Sequence, residues 1–165
     1  MRITDKTLLR VYKLDLKNGT LIIPDGIKAI APGAISFLPN LQYLIFANTV
    51  EKVYNSAICN NPFLKKVQFS QNVKEIGSFA FNYCTSLKEI SLPKSLEKIG
   101  DGAFIGCSSL NTIKIKNDKL EIGKLAFNDC PSIKTILVPN KLNCKNLLSI
   151  EAPDAKIEFI DDLQQ

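Results

Sequence analysis

The sequence predicts a β-rich, α+β solenoid, a right-handed curved stack of parallel strands joined by short helical or irregular turns. Three observations carry this. The chain aligns with itself at 23 residues: Leu41, Leu64, Leu87, Leu110 and Ile133 recur at that spacing, and so do Ala34, Ala57, Ala80, Ala103 and Ala126. Fixed periods of roughly 20–50 residues mark stacked repeat architectures. Two further apolar columns, Leu21, Leu44, Val67, Ile90, Ile113, Ile136 and Ile23, Phe46, Phe69, Leu92, Ile115, Val138, are separated by one residue. That is the spacing of side chains on one face of a β-strand. At both ends the register is lost, as expected where terminal rungs must face water.

Taken in order, the first elements are Leu8–Tyr12 and Leu21–Ile23, flanking Lys17-Asn18-Gly19-Thr20. Asn-Gly between apolar runs is a strong hairpin signal, so residues 1–24 are expected to form an N-terminal hairpin cap. Repeats of 23 residues fill 18–146, the last one shortened. In each, the main strand is followed by a second inward column, Ile30, Val53, Ile76, Ile99 and Ile122. The Ala column comes next, then Ile35, Ile58, Phe81, Phe104 and Phe127, where a short helical or irregular turn should begin. Leu147–Pro153 repeats the pattern of Leu87–Pro93 only 14 residues after Ile133, which implies a shortened closing rung. Residues 147–165 are then a C-terminal cap and tail, with Ile157–Ile160 as a last strand and Asp161–Gln165 as a loose end. The 165 residues form one domain. About seven rungs spaced ~4.8 Å apart give a rod on the order of 30–35 Å long. No single rung can bury its apolar face alone, so the stacked columns are the core.

The best-formed unit reads Leu87-Lys-Glu-Ile-Ser-Leu-Pro-Lys-Ser-Leu-Glu-Lys-Ile-Gly-Asp-Gly-Ala-Phe-Ile-Gly-Cys-Ser-Ser109. It resembles the BspA-like leucine-rich-repeat family, whose pattern has a Leu-x-x-Ile-x-Ile-Pro strand, a Val-x-x-Ile-Gly segment, then Ala-Phe and a Cys before the next Leu. The resemblance covers roughly residues 18–153 and is strongest in 64–86 and 87–109. It loosens in 41–63, where Ala47 replaces the Pro, Tyr54 the Gly and Asn61 the Cys, and in 110–132, where Lys116 and Lys119 break the pattern. The resemblance implies a bacterial repeat protein of a family associated with surface adhesion, host interaction and secreted effectors; this is fold-level analogy.

Composition narrows the function. Hydrophobic residues make up 45% of the chain and charged residues 22%, ordinary for a globular domain. No apolar run approaches the ~18 residues of a membrane helix, so no membrane insertion is expected. The net charge of +5 is almost all lysine, since Arg2 and Arg10 are the only arginines. Dense phosphate and base recognition leans on the planar fork of Arg, and the lysines alternate with carboxylates in pairs such as Glu51-Lys52, Lys74-Glu75 and Glu97-Lys98. Nucleic acid is therefore not the expected partner. Met1–Arg10 lacks the features of a secretory signal. The expected location is cytoplasmic or reached by export without such a signal, with a surface or secreted location if the N-terminus is trimmed.

Histidine is absent, which removes Ser-His-Asp and Cys-His chemistry and the commonest transition-metal ligand. The five cysteines, Cys59, Cys84, Cys107, Cys130 and Cys144, include no Cys-x-x-Cys pair. Cys84, Cys107 and Cys130 share a column at which buried small hydrophobes are expected in preference to metal ligands, whereas Cys59 and Cys144 fall off it and are expected to be more accessible. Glu75, Glu89, Glu97 and Glu121 read as a solvated face and Gly100-Asp-Gly102 as structural turn glycines, without a phosphate-binding pattern. No catalytic residue, metal site or cofactor is expected.

The positions that the repeat leaves free are those between the inward residues of the main strand. One column runs Thr20, Tyr43, Lys66, Glu89, Thr112, Thr135 and the other Ile22, Ile45, Gln68, Ser91, Lys114, Leu137. If solvent-facing, they form a ribbon with an apolar anchor at Ile22, Tyr43 and Ile45 and a polar, lysine-bearing continuation, the composition of a protein-binding patch. The competing reading is that the N-terminal hairpin covers the anchor. Phe63 stands where other units carry Asn40, Ser86, Ser109 and Ser132, either as a wedge or as an exposed contact.

The function expected is a non-catalytic protein–protein interaction module that binds a folded bacterial or host protein through the solenoid surface, as an effector, adaptor or inhibitor. The chain is expected to be a monomer by itself, because capped ends oppose end-to-end stacking. The alternatives are a structural or adhesion repeat segment of a cell-surface protein, and an enzyme with Cys59 or Cys144 as nucleophile.

Overall fold

The computed structural model describes residues 1–12, 15–139, 150, 152 and 154–160. Fourteen strands run in chain order: β1 (Arg2–Thr4), β2 (Thr7–Arg10), β3 (Thr20–Ile22), β4 (Ala29–Ile30), β5 (Tyr43–Ile45), β6 (Lys52–Val53), β7 (Lys66–Gln68), β8 (Glu75–Ile76), β9 (Glu89–Leu92), β10 (Lys98–Ile99), β11 (Thr112–Ile115), β12 (Glu121–Ile122), β13 (Thr135–Pro139) and β14 (Lys156–Ile160). They form two seven-stranded sheets, β3-β5-β7-β9-β11-β13-β14 and β1-β2-β4-β6-β8-β10-β12. Every pairing is parallel except β1 with β2. The chain therefore winds as a parallel β-solenoid, and each turn visits the long-stranded sheet, the short-stranded sheet and a third, irregular side. The turns among the described residues contain no α-helix, so of the two expected turn types only the irregular one is present.

The N-terminal hairpin forms one element earlier than the Asn18-Gly19 signal suggested. β1 and β2 pair antiparallel across Asp5 and Lys6, both with positive φ. Leu8 of β2 then lies beside Ile30 of β4. The run Leu8–Arg10 is thus the first rung of the short-stranded sheet, not the partner of Leu21–Ile23. β3 pairs with β5 instead, and the Asn-Gly turn closes only a single antiparallel bridge between Lys17 and Thr20. Of the expected closing rung Leu147–Pro153, only Ile150 and Ala152 are described, with Ile150 buried. The tail 161–165 and Cys144 lie outside the described residues.

The repeat columns are the core. Leu41, Leu64, Leu87, Leu110, the Ala column and Phe81, Phe104 and Phe127 are all fully buried or nearly so. Phe81, Phe104 and Phe127 stack face to face at 5.1 and 5.2 Å, and Phe46 and Phe69 extend the row edge to face, both contacts at 5.6 Å. One aromatic spine thus ties five side chains from four turns together. Gly100 sits where turns approach most closely: a Cβ there would lie 2.4 Å from the Ser78 backbone nitrogen.

The cysteine column has a definite task. Cys84, Cys107 and Cys130 donate to the carbonyls of Ile58, Phe81 and Phe104, each 26 residues earlier. Each sulfur also accepts from the backbone N–H 23 residues earlier. Asn61 replaces the thiol in the preceding turn and does both jobs, donating to the Ile35 carbonyl at 2.6 Å and accepting from the Leu38 N–H at 2.9 Å. It is fully buried. The column therefore satisfies main-chain groups that the irregular side leaves without strand partners.

That irregular side is itself a hydrogen-bonded ladder. Positive φ recurs in two columns, Gly33, Ser56, Phe79, Gly102, Leu125 and Phe37, Asn60, Tyr83, Gly106, Asp129. From Gly33 to Gly102 and from Phe37 to Gly106 their N–H groups reach the carbonyls of the next turn, as in Ser56 to Ser78 (2.9 Å), Phe79 to Asp101 (3.0 Å) and Tyr83 to Ile105 (2.9 Å). Left-handed conformation at a non-glycine residue costs roughly 1–2 kcal/mol. It is offset because the conformation aims a donor at the neighbouring turn.

Candidate protein-binding surface

The outward side chains of the long-stranded sheet form the ribbon expected from the two free columns. The register pairs Thr20 with Tyr43, Tyr43 with Lys66, Lys66 with Glu89, Glu89 with Thr112 and Thr112 with Thr135. The second column runs beside it, pairing Ile22 with Ile45, Ile45 with Gln68, Ser91 with Lys114 and Lys114 with Leu137. Ile22, Tyr43, Lys66, Gln68, Glu89 and Ser91 are exposed, while Ile45, Thr112, Lys114, Thr135 and Leu137 are half-buried.

The apolar anchor is open. Ile22 is 59% exposed and Tyr43 41% exposed. The β1–β2 hairpin, which could have covered them, belongs to the other sheet. A shallow depression of ≈ 330 Å³ lies over Thr20, Tyr43, Leu44, Ile45, Lys66 and Gln68, so the apolar end grades directly into the polar one. Next along, Lys66 and Glu89 pair at 3.5 Å with both side chains more than half exposed. Such a pair contributes little to stability and leaves both charges accessible.

Two features escape the sequence reading. β14 adds a seventh rung to the ribbon, placing Lys156 beside Thr135 and Glu158 beside Leu137. The last strand expected at Ile157–Ile160 is thus present, but its place in the ribbon was hidden because the chain between β13 and β14 breaks the 23-residue register. The irregular side also carries exposed apolar groups, Phe37 (72%), Phe79, Tyr83 and Leu125, all at positive φ, together with Phe63 (54%). Phe63 is therefore an exposed residue and not a buried wedge. The readable clue to the second left-handed column was its composition of Asn60, Gly106 and Asp129, residue types that tolerate that conformation.

Cys59, Cys84 and Cys107 sit in unreactive surroundings. Cys59, expected to be accessible, is buried and donates to the Ser36 hydroxyl at 3.2 Å. Burial pushes the Cys84 thiol up to about 12, and the Cys130 thiol beside it together with burial holds Cys107 well above the ordinary range. Thiols so held are poor nucleophiles. Among the described residues no group of three His, Cys, Asp or Glu side chains could hold a metal ion. A second depression, ≈ 200 Å³, follows the backbone at Gly100 and Gly123 between Lys98, Asp101 and Glu121.

On the short-stranded face, charge alternates from turn to turn. Lys28 pairs with Glu51 at 2.8 Å and Lys52 with Glu75 at 2.6 Å, with Lys52 also over the Tyr54 ring. The Lys28 hydrogen bond lowers the Glu51 carboxyl, and the Glu75 hydrogen bond raises the Lys52 ammonium. Lys28 and Lys52 on this face thus have carboxylate partners, whereas the ribbon's apolar end stays exposed among the described residues. Among the described residues no helix is long and apolar enough to cross a membrane.

Comparison with known proteins places these features in a family. A profile described as the BspA type leucine rich repeat region matches residues 11–134 in six copies. A leucine-rich cell surface protein from Faecalibacterium prausnitzii is 28% identical, with a TM-score of 0.74 over 79% of this chain and 34% of that one. A leucine-rich repeat protein from Bacteroides ovatus is 26% identical, with a TM-score of 0.60 over 86% of this chain and 42% of that one. The leucine-rich repeat protein of T. pallidum, 20% identical with a TM-score of 0.74, shares the fold over 94% of this chain and 75% of that one. This chain thus spans well under half the length of the first two. No curated protein matches.

Proposed function

Starting from a chain that belongs to the BspA-type leucine-rich-repeat family, we propose that it is a non-catalytic module that holds a folded protein partner on the outward face of its long-stranded sheet. The observation that carries this reading is the exposed apolar end of the ribbon, Ile22 and Tyr43 beside the depression over Ile45 and Gln68. A parallel solenoid presents such a patch already ordered, so binding loses little conformational entropy. Aromatic and apolar anchors next to accessible polar groups are the composition of interface centres and rims. The contacting residues are Ile22, Tyr43, Ile45, Lys66, Gln68, Glu89, Ser91, Thr112, Lys114, Thr135 and Leu137, with the apolar trio as anchor.

The partner is a bacterial or host protein, and the role is that of an effector, adaptor or inhibitor. A similar structure described as a cell surface protein favours a second reading, a surface adhesion segment that uses the same ribbon. Affinity capture from bacterial and host lysates, with wild type beside a Tyr43→Asp, Ile45→Asp double variant checked for folding by circular dichroism, tests the assignment. Loss of one specific partner in the folded variant supports it. Unchanged capture moves the site to the irregular side around Phe63.

A further inference from the structure

We propose that the C-terminal edge of the long-stranded sheet is a self-association site, at which β14 pairs antiparallel with β14 of a second copy across a two-fold axis. The observation is a rung that the described residues leave uncovered. Among the described residues β14 hydrogen-bonds only to β13. Its inward side chains Ile157 and Phe159 stand in register with Ile136 and Val138, which are 3% and 0% exposed, yet they are themselves 46% and 59% exposed. An apolar edge strand of five residues is a template for another strand.

The backbone and the charges choose the occupant. The Lys156 N–H donates to the Lys134 carbonyl, so Lys156 and its alternate neighbours face β13. Ile157 and Phe159 then present their N–H and C=O groups to the free edge. A two-fold centred on Ile157 lets the two Ile157 residues exchange both main-chain hydrogen bonds, with their side chains together on the inward face. The same register sets Lys156 opposite Glu158 of the second copy, twice, as non-hydrogen-bonded pairs in which side chains approach most closely. A two-fold centred on Glu158 would oppose like charges. Self-complementarity of this kind is what an isologous interface requires. The expectation of a monomer rested on capped ends, and most of the residues expected to cap this one lie outside those described.

A charge-swap experiment on the whole chain tests this. Lys156 and Glu158 are outward, with side chains 75% and 42% exposed, and pair with each other at 2.8 Å in the single chain, a contact they would exchange for the two across the axis; substituting them leaves the core intact, as circular dichroism would verify. Light scattering across a concentration series should take wild type from 18.3 kDa towards twice that mass. Lys156→Glu and Glu158→Lys should each weaken association by about tenfold or more. Mixed in equal amounts, the two variants should associate again, because each supplies the charge the other lacks. A wild type that is monomeric throughout would overturn the proposal, as would association indifferent to both substitutions. Failure of the mixture to associate would overturn the register.

Discussion

The Phe79 ring lies across the backbone of Gly102 in the next turn, so close that a Cβ at Gly102 would come within 2.5 Å of the ring. Tyr83 covers Gly106 in the same way, its ring 2.6 Å from the position a Cβ would take. Both glycines have positive φ. Gly102→Ala therefore meets two obstacles, the left-handed backbone and the ring. A loss of about 2–3 kcal/mol is expected in chemical denaturation. In a Phe79→Ala background only the backbone cost of about 1–2 kcal/mol should remain. Equal losses in the two backgrounds would mean that ring and glycine are not coupled.

Asn61 is expected to be among the most sensitive polar residues. Asn61→Ala strips the Ile35 carbonyl and the Leu38 N–H of their buried partner and should cost about 2–4 kcal/mol. Asn61→Cys restores the donor and acceptor used by the three turns that follow and should recover much of that loss. Thermal unfolding of the pair decides, and a cysteine variant no better than alanine would refute the assigned role.

The aromatic spine predicts a graded response. Phe104 stacks between Phe81 and Phe127, so Phe104→Ala should cost about 3–5 kcal/mol and Phe104→Leu clearly less. Urea denaturation of the two variants measures the difference.

The Cys84 thiol makes stability fall at alkaline pH. Its folded value of about 12 lies above the unfolded value near 9, so the folded state binds more protons between the two. The contribution is fully present below pH 9 and lost as pH rises through 12. Cys84→Ala should show a shallower decline from pH 9 to 11 than wild type. Thiol labelling of Cys84 in native protein at pH 8 should also be far slower than after unfolding, and fast native labelling would contradict the burial.

The repeat made most of this fold legible, because a core built by stacking identical turns writes the same residue at the same spacing. The inward columns through Leu87, Ile90, Ala103 and Phe104 and the outward columns through Tyr43 and Ile45 could be read directly from the sequence. The start was misread because Asn18-Gly19 is a stronger local signal than the position of Leu8 one turn before Ile30, although tertiary pairing follows the latter. The exposed row of Phe37, Phe79 and Tyr83 was not legible, since nothing in an aromatic side chain announces a left-handed backbone. Its conformation is imposed by hydrogen bonds between turns. Lys156 and Glu158 were missed as ribbon members because their register depends on pairing with β13, not on sequence spacing.

The most direct test of the binding surface is site-specific photo-crosslinking, with a photoreactive phenylalanine analogue at Tyr43 on the ribbon, at Lys98 on the charged sheet and at Phe63 on the irregular side. All three positions are exposed. The account predicts one specific crosslinked protein from Tyr43, and none from Lys98 or Phe63. A specific product from Phe63 or Lys98 with none from Tyr43 would contradict it.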